Sequence, residues 1–250
     1  MNTRFLALDF DGVIGDSIHE CLVVGFNAYQ QYLGTNKKVY SFEELNPGSI
    51  EQARAIRNYI RSGEDYVYIY HALENKAPIL SQDDFDAFTQ TFSSLRDRFF
   101  EVFYSERQRF LDHHREQWLR LNPLYPGMQP WLQKYPHKDR LVIITTKKTE
   151  YVAEILKFHD IILKSEALYH ASPKHPKKDI IASLLQRYEI EPSEFVFIDD
   201  QVDTLIKVKP VQVKCILALW GYNTLEQQKT AQKNNIPGCE LEDFWKQNYP

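Results

Sequence analysis

Three short apolar runs constrain this chain most: Phe5–Leu8, Leu141–Ile144 and Phe195–Ile198. Each is only a strand's length, rich in branched or aromatic side chains, and bounded by polar residues. That is the pattern of strands buried on both faces of a parallel sheet. Each run also stops at reactive polar residues: Asp9 and Asp11, Thr145 and Thr146, Asp199 and Asp200. A fourth run, Val213–Leu219, ends at Trp220-Gly221-Tyr222. Apolar residues at three- and four-residue spacing over Glu150–Phe158 and Asp179–Tyr188 predict helices between these strands. Alternating strands and helices predict an α/β fold with a doubly wound parallel sheet. In such sheets ligands bind at the carboxyl ends of the strands, where the polar residues lie.

The stretch from 17 to 121 reads differently. It is polar, aromatic-rich and helical in period, with candidate helices Ile18–Tyr32, Ile50–Arg61, Gln82–Tyr104 and Glu106–Arg120. Asn46-Pro47-Gly48 and Ser62-Gly63-Glu64 read as turns. The block is too long for a loop. The expected division is a core of 1–16 and 122–250 and an inserted helical domain of 17–121. Phe85, Phe88, Phe92, Phe99, Phe100 and Phe103 fall at helical spacing and are expected in the core of the insert, while His113 and His114 read as surface.

Bulk properties narrow the functional classes. The chain has 250 residues, 43% of them hydrophobic, enough for one large or two modest cores. A net charge of −4 carries no electrostatic footprint for nucleic acid. The longest apolar run falls short of the roughly 18 residues that span a bilayer, so no membrane partner is expected. Cys21, Cys215 and Cys239 are widely separated, which suits a reducing, cytoplasmic setting better than a disulfide framework or a zinc site. The opening MNTRFLALDFDG carries acids that spoil a signal peptide's apolar region.

Asp9 and Asp11 stand at i and i+2, hence on one face of an extended segment, where two carboxylates repel unless a cation or shared proton intervenes. An acidic turn closing a strand and a catalytic pair both fit that dipeptide spacing. The ordered set of strand ends resembles the haloacid dehalogenase-like hydrolase superfamily: Asp9-Phe10-Asp11-Gly12-Val13, then Leu141-Val-Ile-Ile-Thr145-Thr146-Lys147, the basic segment Lys174–Lys178, and Phe195-Val-Phe-Ile-Asp199-Asp200. DFDGVIGDS and PLYPGM look most like the subgroup with a helical cap inserted after the first strand, which includes phosphoglycolate and sugar-phosphate phosphatases and mutases.

The resemblance implies a phosphatase acting on a small phosphorylated metabolite. Asp9 would be the nucleophile, and Asp11 would protonate the leaving alcohol and then activate water. Mg²⁺ would be held by Asp9, the Asp11 backbone carbonyl and Asp200, a donor set that suits an octahedral oxygen-seeking cation. Thr145 would hydrogen-bond a phosphoryl oxygen; a threonine capping the next helix fits the same position. Gly12, Thr146 and Lys147 join the expected substrate-binding residues. In ungapped register from Asp200, His175 stands where the family has its lysine. Lys174 is the favoured replacement, with Lys177 and Lys178 as alternatives. Asp199 occupies the family's usual glycine position; it and Asp203 are expected to support the metal site without ligating.

Arg54, Arg57 and Arg61 fall on one face of the expected Ile50–Arg61 helix, near Tyr66, Tyr68 and Tyr70. That face could grip a carboxylate, sugar or second phosphate through Arg57 and Arg61, or could simply be solvated. Trp220-Gly221-Tyr222 is expected to pack the domain edge. The rivals are a phosphomutase, a phosphonatase, and a non-catalytic binding module on the same fold. A dehalogenase is disfavoured because it needs no acid at position 11. The expected assembly is a monomer or homodimer.

Overall fold

A computed structural model of the chain describes residues 5–135 and 138–247. Met1–Arg4, the start of the MNTRFLALDFDG opening, lie outside the described residues. The chain divides into two compact units: Met1–Asp16 with Leu124–Pro250, and Ser17–Pro123.

The first unit is an α/β sandwich. Its strands are β1 (Phe5–Leu8), β2 (Leu141–Thr145), β3 (Leu168–His170), β4 (Phe195–Asp199), β5 (Lys214–Ala218) and β6 (Gly238–Cys239). They form one sheet in the order β3-β2-β1-β4-β5-β6, and every neighbouring pair is parallel. β1, β2 and β4 are buried along their whole length, as central parallel strands must be. Phe5, Ala7, Val142, Ile144, Phe195 and Phe197 share one face and pack with Ile181, Leu184, Val202 and Leu205 into a single apolar cluster. The opposite residues Leu6, Leu8, Leu141, Ile143, Val196 and Ile198 are equally buried.

β3 and β6 were not legible as strands. Both are edge strands of two or three residues, too short to carry a period, and they exist because a longer neighbour offers backbone partners. The register places Leu8 beside Ile143 on β2 and Ile198 on β4. Asp9, Thr145 and Asp199 therefore finish at one edge of the sheet. The chain leaves β1 toward β2 on one side and reaches β4 on the other, the reversal that opens a crevice in doubly wound sheets.

The second unit is helical: α1 (Ile18–Tyr32), α2 (Pro47–Arg57), α3 (Asp65–Glu74), α4 (Gln82–Thr91), α5 (Arg96–His113) and α6 (Arg115–Arg120). The first unit continues with α7 (Met128–Lys134), α8 (Thr149–Phe158), α9 (Lys177–Tyr188), α10 (Val202–Val208), α11 (Leu225–Lys233) and α12 (Leu241–Lys246). No described helix is long and apolar enough to cross a membrane.

Several helix boundaries differ from the sequence expectation. Asn46-Pro47-Gly48 starts a helix instead of turning: Asn46 Oδ1 accepts the Ser49 N–H at 3.1 Å, and Pro47 sits at the first helical position, where its missing N–H costs nothing. α2 then stops at Arg57, because the Asp65 carboxylate captures the Arg61 and Ser62 N–H groups at 2.8 and 3.0 Å. Tyr66, Tyr68 and Tyr70 lie on α3, and all are buried. The expected Gln82–Tyr104 helix breaks at Phe92, whose carbonyl accepts the Tyr68 hydroxyl at 2.9 Å. Of the phenylalanines expected inside, Phe85, Phe99 and Phe103 are buried while Phe100 is exposed.

Candidate active site

The centre of the site is Asp9, the residue immediately after β1. Its N–H donates to the Ile198 carbonyl at 2.9 Å, so the backbone still follows the sheet. Its side chain is buried; Oδ1 accepts the Phe10 N–H at 2.7 Å and Oδ2 lies 2.8 Å from Lys177 Nζ. Lys177 is the first residue of α9, and helical side chains tilt toward the helix N-terminus, which carries this ammonium back to the strand ends. The same Nζ lies 2.7 Å from Asp199 Oδ2, and Asp199 Oδ1 accepts the Gln201 N–H at 2.8 Å.

Burial shifts these groups. It pushes the Asp9 carboxyl up to about 7 although Lys177 pulls the other way, with Asp199 and Asp11 adding to the rise. Burial alone would lower the Lys177 ammonium, but Asp199 and Asp9 outweigh it and hold the charge well above the ordinary lysine value.

Asp200, the next residue, is almost fully buried. Two glycines make room for it. Gly12 has φ +86°, and a β-carbon there would stand 2.2 Å from Asp200 Oδ2; one on Gly221 would stand 2.3 Å from Asp200 Cβ. The Tyr222 N–H donates to Asp200 Oδ2 at 2.9 Å. Carboxylate oxygens of Asp9, Asp199 and Asp200 all lie within 4.8 Å of one another. The three carboxylates gathered round Lys177 exceed its single positive charge, and an all-oxygen donor set of that kind fits a hard divalent cation.

Asp11 has a different partner. Its Oδ1 lies 3.1 Å from the buried Lys147 Nζ, and its side chain keeps 23% exposure. Each of the two acids thus has a lysine ammonium against it, Lys177 at Asp9 and Lys147 at Asp11. Thr145 ends β2, and its Oγ1 accepts the Lys147 N–H at 3.1 Å, which leaves its own hydroxyl hydrogen to donate elsewhere. Neither Thr145 nor Thr146 caps α8; the residue at that position is Lys148.

The sequence matches a protein-family model, haloacid dehalogenase-like hydrolase, over residues 3–206. The chain belongs to that family. Its fold also resembles a haloacid dehalogenase-like family hydrolase from Streptococcus pneumoniae, with a TM-score of 0.58 at 16% identity, covering 98% of this chain and 96% of the other. Similar curated proteins include a phosphoglycolate phosphatase from Vibrio vulnificus, 22% identical over 88% of this chain and 85% of its own length. Another, from Pseudomonas fluorescens, is 23% identical over 94% of this chain and 79% of its own length. The chain is accordingly an enzyme of the hydrolase class.

For this haloacid dehalogenase-like hydrolase, the structure gathers Asp9, Gly12, Asp199, Asp200 and the Asp11–Lys147 pair at the strand ends. The lysine it brings to Asp9 is Lys177. Lys174, favoured from the sequence, is exposed in the loop before α9, and Lys178 is exposed one residue beyond. The ungapped register from Asp200 falls on His175, and a one-residue adjustment from there reaches Lys174; Pro176 caps α9 and makes Lys177 its first residue, a helix start that the register count does not report. Thr146 is exposed, and its carbonyl lies 3.2 Å from His170 Nε2. Asp203 is half-buried in the first turn of α10.

Arg57 and Arg61 lie in the helical unit and do not form the expected face. Arg57 is buried with its guanidinium 5.6 Å from the Tyr66 ring centroid. Arg61, beyond the end of α2, donates to the Asn58 and Ile60 carbonyls and to Gln82 Oε1. Gly221 and Tyr222 bear closely on Asp200, a contact that no pattern in the sequence signals.

Proposed function

We propose that the chain is a Mg²⁺-dependent phosphatase of small phosphorylated metabolites, working through an aspartyl-phosphate. The observation that carries this reading is Asp9: a buried carboxylate at the end of the central strand, with an ammonium at 2.8 Å and two further carboxylates beside it. Phosphoryl transfer needs an in-line nucleophile, neutralised phosphoryl oxygens and a proton for the leaving oxygen.

Asp9 Oδ attacks phosphorus, forming an oxygen–phosphorus bond as the bond to the substrate oxygen breaks. Asp11 gives its proton to that oxygen, then takes one from the water that cleaves the acyl phosphate. Its partial exposure keeps a path for proton exchange with solvent. Lys177 and the Thr145 hydroxyl bind phosphoryl oxygens. Asp9, Asp200 and the Asp11 carbonyl would hold Mg²⁺, which supplies charge neutralisation when bound. Asp199, already engaged by Lys177 and the Gln201 N–H, serves to aim the lysine. Gly12 lets the backbone approach, and Lys147 holds Asp11.

Hydrolysis of p-nitrophenyl phosphate and of a panel of phosphorylated metabolites, phosphoglycolate included, tests the reading. Turnover by the wild type with Mg²⁺ should vanish in chelator and fall by about 10³-fold or more in Asp9→Asn. Turnover retained in chelator or in Asp9→Asn would contradict it, and an inactive wild type across the panel would favour a binding module.

A further inference from the structure

The loop after β5, Trp220–Asn223, encloses Asp200. Gly221 packs so tightly that an added β-carbon would lie 2.3 Å from Asp200 Cβ and 2.4 Å from the Gly12 carbonyl oxygen. The Tyr222 N–H donates to Asp200 Oδ2 at 2.9 Å, and Asn223 Nδ2 donates to the Asp200 carbonyl at 3.2 Å and to that of Ala218 at 2.9 Å.

The loop is tied in turn to the segment beyond Asp11. Trp220 Nε1 donates to the Val13 carbonyl at 3.0 Å, and the Tyr222 hydroxyl donates to Asp16 Oδ1 at 2.6 Å. Asp16 is the last residue of the α/β unit before the chain enters the helical one. Side chain and backbone of Asp200 are thus held by one turn, and that turn is pinned to the β1 exit at two points. Losing a hydrogen bond that orients a metal ligand typically costs about 10- to 100-fold in metal affinity.

We infer that Gly221 and Tyr222 are positioning residues that fix the Asp200 carboxylate for cation binding, with Tyr222 anchored through its hydroxyl on Asp16. The inference rests on the reading of Asp200 as a Mg²⁺ ligand.

Isothermal calorimetry with MgCl₂ on the full chain, alongside Mg²⁺ titration of p-nitrophenyl phosphate turnover and thermal melts, provides the test. Tyr222→Phe should weaken Mg²⁺ binding by about 10-fold, with kcat largely restored at saturating Mg²⁺. Asp16→Ala should behave alike, while Asp16→Asn, which keeps an acceptor for the hydroxyl, should stay near wild type. Gly221→Ala should lose more affinity than Tyr222→Phe. A folded Tyr222→Phe and Asp16→Ala with wild-type Mg²⁺ affinity would overturn the inference while leaving Asp200 as a ligand. A wild type that binds no Mg²⁺ would overturn the metal reading and this inference together.

Discussion

At the end of β1 each acid has its own cation: Asp9 pairs with Lys177 and Asp11 with Lys147. The repulsion implied by their spacing is relieved by two lysines from different elements. Replacing Lys177 by Met leaves Asp9 and Asp199 without their ammonium. Turnover of p-nitrophenyl phosphate should fall by about 10²-fold or more, and urea unfolding should show a loss of about 3 kcal/mol. Lys174→Ala should leave both near wild type, since that side chain is exposed. Gly12→Ala forces a β-carbon into Asp200 at a left-handed backbone position and should abolish turnover, with a stability loss of at least about 1 kcal/mol in the same unfolding experiment. Asp9, Asp11, Thr145 and Asp200 were legible because each lies at or just beyond the end of an apolar run. Lys177 was not, because its reach depends on where α9 begins, and Gly221 and Tyr222 were not, because only tertiary contact sets them against Asp200.

The helices of the second unit are joined by a buried ion pair. Glu20 on α1 accepts from Arg107 Nε and Nη2 on α5 at 2.8 and 2.9 Å and from Trp118 Nε1 on α6 at 3.0 Å. Breaking it with Glu20→Ala should cost about 3–5 kcal/mol by urea denaturation, and Glu20→Leu with Arg107→Met should cost less, because no charge is then left buried alone. His71 on α3 is buried against Phe92, its Nδ1 3.3 Å from the Tyr29 hydroxyl, and burial lowers its pKa. Below about pH 6.5 the unfolded chain gains a proton that the folded form resists. His71 therefore contributes a stability loss as pH falls, absent above that value. Thermal melts between acidic and neutral pH should show a flatter profile for His71→Leu than for the wild type. α1 was legible to its last residue from its apolar period. α2 and α3 were not: their ends are set by Asn46 and Asp65 side chains binding backbone N–H groups, which periodicity does not report.

Across the whole chain, the sheet order brings one chemistry together. β1 lies between β2 and β4, so residues far apart in sequence finish at the same edge. The parallel architecture and its reactive edge could be read from the apolar runs and the polar residues that end them; the edge strands β3 and β6 could not, since pairing alone defines them. Substrate choice has no comparable signature, because the arginine face expected of the helical unit dissolves into contacts within that unit. In the proposed reaction Asp9 carries the phosphoryl group. Acid quenching during turnover of a phosphorylated substrate, then mass spectrometry of the digested protein, tests it directly. The expected result is one phosphoryl group on the peptide containing Asp9, absent from Asp9→Asn. Turnover with no label on that peptide, or an equal label in Asp9→Asn, would contradict it.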